Sequence, residues 1–586
     1  MSEYVLKKIK QFLKGKIHYF FIFLIIILSL TLRLYGLYKP FGLWYDEGWS
    51  YYIAKQSFPL GILDKVYNEE LTPPFYFISL HFWMELFGKN QLVLRFLSVL
   101  YGILFIPVAY LAGKELNSRK TGFILALLSG INSFLIYYSQ EVRNYAPAAL
   151  FSALTFLFLL KIKNKPDKIN FAGLIFAHIG ILYTSGLGFI FVGTETLILG
   201  MYFYLYHREI FKKYIISALI TAVLFLPYIP FILHQSALSS HDLANNPPLW
   251  NFYLFYQHIN KIILSWFTPA TTGITYISGF KLINEYNLSF IAFIVMPFQI
   301  YLYGMIRLIK QRGYTAAIFM TGICSLIILI TLSALGKFTF YTRYTMIIFP
   351  IIFLSACYGL SLIKNKLLTG LFITFLVLIN LFYTIYSPFS AQKLGRSHTF
   401  TSEIADILKR INLNSDDIIL CLYAGDFLDF EYEIKSKFIS NNLEYSLIVD
   451  KNRKFLGESF LRNIFDKKFL LSARYIDMKK AFRGYLASEE SASALQKFIK
   501  NEIADKLPEK HYFILVKSKT KGIYTEQELS RISSSEDTYS KAILIEMIYS
   551  KVYNEIIKTA DRYLKPAGVI SKGDWEVYIF EKSRER

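Results

Sequence analysis

The sequence predicts a polytopic α-helical membrane protein of about eleven spans, followed by an extracytoplasmic soluble α/β domain. Three observations point there. The 586-residue chain is 54% hydrophobic and only 18% charged, with a mean hydropathy of +0.37, whereas soluble chains carry about a quarter charged residues. Its apolar residues gather in runs near the roughly 20 residues that cross a bilayer. Its net charge of +21 is unevenly placed: residues 1–386 hold 31 Lys and Arg against 14 Asp and Glu, and residues 387–586 hold 33 against 29. A basic excess confined to the apolar part marks cytoplasmic loops of a membrane protein and argues against nucleic acid as a partner. The composition also excludes a disordered chain and a collagen-like fibre. Three cysteines, Cys324, Cys357 and Cys421, build no disulfide framework.

The apolar runs fall at about 17–37, 92–113, 121–139, 143–160, 169–185, 187–206, 211–233, 288–309, 314–335, 341–361 and 366–386. No small-residue cleavage site follows the first run, so it reads as a span and not as a removed leader. Gly180, Gly186 and Gly188 blur the boundary inside 169–206. The turns alternate in charge. Lys7 to Lys16, Lys114 to Lys120, Lys161 to Lys168, Arg208 to Lys213, Arg307 to Arg312 and Lys364 to Lys366 mark one side, and the other turns are nearly free of such clusters. By the positive-inside rule the marked side is cytoplasmic. The organisation expected is a cytoplasmic N-terminus (1–16), a membrane domain (17–386) and an outer soluble domain (387–586), in a multi-pass protein of the plasma membrane.

Two outer loops are long, 38–91 and 234–287, and long loops in compact proteins are usually functional. In the first, Phe75 to Phe87 has helical periodicity and an apolar–polar mix suited to the membrane surface. Thr72-Pro73-Pro74 sets its start, and a second short helix fits around 44–57. The tail alternates: 418–423, 512–516 and 576–580 read as strands, and 400–411, 491–505 and 541–563 as amphipathic helices, an α/β pattern. It contains no Gly-rich phosphate loop, metal-ligand spacing or nucleophile elbow.

Fourteen acids are few enough to weigh one by one. Glu3, Glu115, Asp167 and Glu209 stand beside Lys or Arg in inner loops and read as solvated charges. Asp64, Glu69, Glu70, Asp242 and Glu285 lie in polar loop surroundings, and Glu85 lies in the surface helix. Four remain. Asp46 and Glu47 form an adjacent pair in Leu43-Trp-Tyr-Asp-Glu-Gly-Trp-Ser-Tyr-Tyr52, about ten residues beyond the first span. Aromatic surroundings desolvate a carboxylate and make it a better proton acceptor; the alternative is a solvated turn. Glu141 shares a short outer turn with Arg143, where the two either pair or act. Glu195 sits inside the sixth run, where an ionisable side chain is costly and functional by default, a paired structural role being the alternative. Among the bases, Arg343 follows Lys337 at the outer start of the tenth run. It either snorkels or offers its planar fork to a phosphate.

Several of these segments resemble the GT-C membrane glycosyltransferases: Leu43-Trp-Tyr-Asp46-Glu47-Gly-Trp-Ser-Tyr, Thr72-Pro-Pro-Phe-Tyr-Phe with Arg95-Phe-Leu-Ser-Val, Tyr138-Ser-Gln-Glu-Val-Arg143-Asn-Tyr-Ala, and Arg343-Tyr with Pro350. The group most similar is the family 39 and dolichyl-phosphate-mannose–protein mannosyltransferase clan, with the bacterial lipid A sugar transferases. The resemblance covers about residues 15–386. It implies a GT-C-like fold, a polyprenyl-phosphate-sugar donor, an active site on the outer face, and a catalytic acid in the first outer loop. Asp46 matches that acid, Glu47 its neighbour, and Glu141 the second acidic position. One departure is visible: many bacterial members carry Thr-His-Tyr near the fifth span, where this chain has Leu182-Tyr-Thr-Ser-Gly186.

The expected function is transfer of a sugar, hexose or pentose, from a polyprenyl-phosphate donor to a hydroxyl on a glycan, lipid or protein acceptor. A lipid phosphate is a good leaving group, so the chemistry needs a base for the acceptor and cations for the departing phosphate. Asp46 is the expected base, with Glu47 and Glu141 beside it. Arg143, Arg343 and Lys337 are the expected phosphate ligands. A divalent cation is compatible with the sequence but not required by it, and no Asp-x-Asp cluster for a nucleotide sugar stands out. The competing reading is a transporter or flippase for a polyprenyl-linked glycan.

Overall fold

The computed structural model describes residues 19–35, 37, 43, 45–234, 262, 266, 288–311, 313–335, 341–393, 418–421, 446–447, 500, 504–505, 512–518, 557–572 and 575–582. The chain divides into two compact units, residues 1–38 with 50–395, and residues 39–49 with 396–586.

The first unit is helical. Its elements are α1 (Tyr19–Leu34), the end of α2 (Tyr45–Ala54), α3 (Leu60–Glu69), α4 (Phe75–Phe87), α5 (Gln91–Leu116), α6 (Arg119–Ile131), α7 (Ser133–Tyr138) and α8 (Tyr145–Asn164). Then follow α9 (Lys168–Leu182), α10 (Gly188–Tyr206), α11 (Arg208–Phe225), α12 (Leu288–Lys310), α13 (Tyr314–Ala334), α14 (Phe349–Ser361) and α15 (Lys366–Lys393). Among the described residues, α5, α8, α10, α13 and the stretch Arg208–His234 are long and apolar enough to cross a membrane. Shorter apolar helices cover Tyr19–Leu34, Lys168–Leu182, Phe349–Ser361 and Lys366–Phe382. The chain is a membrane protein.

Polar residues punctuate the apolar runs. Asn90 caps α5 by accepting the Val93 N–H at 3.0 Å, and Ser118 caps α6 through Thr121 at 3.3 Å. The run at 121–139 is not one helix. Asn132 takes an extended conformation and accepts the Leu135 N–H at 3.0 Å, so it ends α6 and starts α7. Small residues let backbones approach, as in other membrane bundles. Helix α12 packs on α14, and a Cβ at Gly359 would collide with the Gly304 carbonyl oxygen. The core continues through α5, α6 and α8 to α14, where Phe134 meets Phe349 edge-on at 5.0 Å.

The first outer loop folds into helices. Helix α4 starts after Pro74 and ends at Gly88, whose φ of 94° is left-handed and suits glycine. Its polar atoms tie it down: Trp83 Nε1 donates to the Val93 carbonyl at 2.7 Å, and the Tyr76 hydroxyl lies 2.8 Å from Ser98 Oγ. His81 Nδ1 lies 2.8 Å from the Ala54 carbonyl oxygen. The sequence predicts α2 but not α3, because Gly61, Asp64, Lys65 and Asn68 resemble loop composition. The second outer loop lies outside the described residues from 235 to 287, except Ile262 and Trp266. Trp266 Nε1 donates to Thr345 Oγ1 at 2.8 Å.

The second unit holds a five-stranded mixed sheet in the order β2 (Ser446–Leu447), β1 (Ile418–Cys421), β3 (Tyr512–Ser518), β5 (Trp575–Lys582), β4 (Leu564–Lys572). Strand β1 is parallel to β2 and β3, while β5 is antiparallel to β3 and β4. Strands β1, β3 and β5 lie where the sequence predicts them. Strand β4 was missed because Pro566 and Gly568 interrupt its pattern. The β4–β5 register shifts between those two residues, the irregularity that Pro and Gly bring to a strand. Residues 557–563, the end of one expected helix, are helical. The expected helix 400–411, and all of 491–505 but three residues, lie outside the described residues.

Candidate active site

The six residues between α7 and α8 are held on every side. Gln140 Nε2 donates to the carbonyl oxygens of Arg33 at 2.8 Å and Tyr35 at 2.7 Å, and reaches that of Leu32 at 3.5 Å. These are carbonyls of the last turn of α1, which have no acceptor role left inside the helix. Arg33 returns the favour: its Nη1 donates to the Gly130 carbonyl at 3.0 Å, near the end of α6, and also to Ser29 Oγ. Asn144 Nδ2 donates to the Thr184 carbonyl at 2.6 Å, and Ser98 Oγ reaches the Arg143 carbonyl at 3.5 Å. A loop so fastened presents its charged side chains at fixed points.

Glu141 is buried at 3% exposure. Arg143 Nη1 donates to Ser50 Oγ at 3.3 Å and lies 3.8 Å from Glu70 Oε2. Its guanidinium is 6.0 Å from the Tyr145 ring centroid. Arg343 belongs to the 3-10 turn Thr342–Ile347, which packs on α8. Its guanidinium lies 4.4 Å from the Tyr341 ring centroid and 5.8 Å from that of Tyr344. The Tyr344 side chain hydrogen-bonds with Arg343 and also feels the charge of Arg143. The loop that carries Arg143 leads into α8 and the turn that carries Arg343 packs on that helix, so two cations 200 residues apart in sequence are brought to one helix. Their planar forks suit a phosphate.

Asp46 and Glu47 occupy the first turn of α2, where the helix dipole favours negative charge. Glu47 is fully buried and Asp46 half-buried, so Glu47 is not in a solvated turn. Both belong to the second unit. Lys337 lies outside the described residues.

Sequence reasoning passed over three further groups. Glu70, a loop charge by its sequence surroundings, has its side chain 10% exposed and lies 3.8 Å from Arg143 Nη1. Lys65 is buried on the inner face of α3 with Ile62 and Val66, its ammonium 5.3 Å from the Tyr52 ring centroid. Lys55 stands at the same distance from that ring. The signal for Lys65 was its spacing from Ile62 and Val66 on one helical face.

Glu195 takes the paired alternative. Its Oε1 accepts the Tyr214 hydroxyl at 2.7 Å, and its Oε2 lies 3.3 Å from His178 Nε2, all three side chains buried. Among the described residues, no group of three or more His, Cys, Asp and Glu is arranged to hold a metal.

Residues 72–234 match the family model described as dolichyl-phosphate-mannose-protein mannosyltransferase, so the resemblance to GT-C glycosyltransferases is borne out over that segment. No curated protein matches the chain. Among solved structures, ArnT from Cupriavidus metallidurans bound to undecaprenyl phosphate is 12% identical, with a TM-score of 0.49 over 95% of this chain and 97% of that one. The same protein in the apo state is 10% identical, with a TM-score of 0.48 over 94% and 97%. The Archaeoglobus fulgidus oligosaccharyltransferase in the apo form is 12% identical, with a TM-score of 0.47 over 97% and 75%.

Proposed function

We propose, for a membrane protein that carries the mannosyltransferase family segment across residues 72–234, that it transfers a sugar from a polyprenyl-phosphate donor to an acceptor hydroxyl on the outer face of the plasma membrane. The observation that carries the reading is the pair of arginines, Arg143 in the loop that leads into α8 and Arg343 in the 3-10 turn that packs on α8. Such a dicationic station suits the phosphate that departs with the lipid. The soluble domain 387–586 is then extracytoplasmic and the N-terminus cytoplasmic.

In this reading Asp46 takes the proton from the acceptor hydroxyl as its oxygen bonds to the anomeric carbon. The bond from that carbon to the phosphate oxygen breaks, and the lipid phosphate leaves with the electron pair and its added negative charge. Arg143 and Arg343 stabilise that charge, with Lys337 as a further cation. Stabilisation of charge that develops in the transition state is where an active site gains most. Glu47, buried as it is, orients the acceptor or tunes Asp46, and Glu141 supports the arginine loop.

The test is sugar transfer in detergent from a saturating polyprenyl-phosphate-sugar donor. Asp46→Asn keeps the size and removes the basicity, so turnover should fall by about 10²–10⁴-fold, with donor binding and expression retained. Glu47→Gln should hurt less. Normal turnover by Asp46→Asn together with a dead Glu141→Gln would move the base to the loop after α7.

A further inference from the structure

We infer that Glu70 is a positioning residue for Arg143: a carboxylate fixed by its own turn holds the arginine fork where the donor phosphate is received. The inference rests on the phosphate-binding reading above and adds a group that the sequence set aside as a loop charge.

The two oxygens of Glu70 have different partners. Oε1 accepts the backbone N–H of Leu71 at 3.0 Å and of Thr72 at 2.9 Å. Pro73 and Pro74 follow and have no N–H to offer, so these are the last main-chain donors before α4. Oε2 faces Arg143 Nη1 at 3.8 Å, the atom that also donates to Ser50 Oγ. The turn is itself held against the α9–α10 connection. The Phe75 N–H donates to the Tyr183 carbonyl at 3.0 Å, and a Cβ at Gly186 would lie 2.9 Å from the Leu71 carbonyl oxygen. Glu70 is therefore a negative point fixed by its own turn.

Such an arrangement has a physical use. A free arginine gives up rotamer freedom on binding a ligand, and a side chain already ordered gives up less, which appears as affinity. The side chains are 12% and 10% exposed, so water screens the attraction less than at an open surface. Ser50 and Glu70 both engage Nη1. A carboxylate near a phosphate also repels it. The alternative is thus a placeholder that the donor displaces, and the two roles predict opposite changes.

The experiment is a double-mutant cycle on the full-length protein, read by titration with undecaprenyl phosphate in detergent. Glu70→Gln keeps an oxygen for the Leu71 and Thr72 amides and removes the charge that faces Arg143. Coupled neighbours commonly differ from additivity by enough to matter, and Glu70→Gln should weaken probe binding about tenfold in the native background. In an Arg143→Gln background the same change should alter affinity less than about twofold. With a sugar donor, KM should rise more than kcat falls. Equal losses in both backgrounds would assign Glu70 a merely structural role, and unchanged or tighter binding by Glu70→Gln would also overturn the inference. Wild-type binding by Arg143→Gln alone would overturn the phosphate-binding reading and this inference together.

Discussion

Gln140→Glu is an isosteric change that removes one donor group at a point where the structure uses it more than once. Gln140 is 8% exposed, and its Nε2 serves the Arg33 and Tyr35 carbonyls at 2.8 and 2.7 Å. The contact to Leu32 at 3.5 Å is at the limit of a hydrogen bond and adds little. Two bonds are therefore lost, and two carbonyls at the end of α1 are left facing a carboxyl oxygen. A buried polar group left unmade costs about 1–3 kcal/mol, which for two groups gives about 2–6 kcal/mol. Interhelical hydrogen bonds inside a bilayer measure lower, about 0.6 kcal/mol on average, because the unfolded chain in the membrane also finds partners. That reference gives about 1 kcal/mol for the same two bonds. The higher range should apply, because Gln140 does not merely lose a bond but gains a repelling oxygen. Reversible unfolding by a denaturing detergent should show a loss of about 2–4 kcal/mol, and Gln140→Leu, which brings no repelling oxygen, should lose less. A Gln140→Glu protein within about 1 kcal/mol of wild type would refute the idea that this amide locks the loop to α1.

Three further outcomes are expected. Arg343→Lys keeps the charge and loses the planar fork, so binding of a polyprenyl phosphate should weaken; equal affinity in the Lys and Ala variants would remove Arg343 from the site. Glu195→Leu leaves His178 and Tyr214 without their shared partner and should lose about 3–5 kcal/mol in the same unfolding assay, while Glu195→Gln, which can still accept from Tyr214, should lose much less. A thiol reagent that cannot cross membranes should label a cysteine placed in the tail of intact cells and spare one placed in residues 1–16; the reverse pattern would overturn the orientation.

The fold was legible where one physical requirement dominates. The apolar runs at 92–113, 143–160, 187–206 and 314–335 correspond to α5, α8, α10 and α13 within a few residues, because crossing a bilayer demands length and apolarity at once. Where two requirements compete, sequence reasoning slipped. Asn132 interrupts an apolar run and reads as a tolerated polar residue, yet it caps α7. Helix α3 carries its buried face on Ile62, Lys65 and Val66, and a lysine on a buried face hides the periodicity. Strand β4 contains Pro566, which costs a ladder donor and is tolerated beside a register shift at the sheet edge.

The site divides in the same way. Arg143 and Arg343 stand out as isolated cations at the ends of apolar runs, and the loop and the turn that carry them both adjoin α8. Their partners did not stand out, because a partner is a property of packing. Glu141, two residues from Arg143, is a neighbour that the sequence shows, whereas Glu70, whose carboxylate lies 3.8 Å from Arg143 Nη1, stands 73 positions earlier. The Arg143 N–H donates to the Glu141 carbonyl at 2.7 Å, so the backbone folds tightly between them. Glu70 sits instead at the end of a helix that the sequence reads as loop, brought to the arginine by a turn fixed against Tyr183 and Gly186. Composition can find a charge that lacks a reason to be where it is, and only the packing of distant segments supplies the charge that answers it.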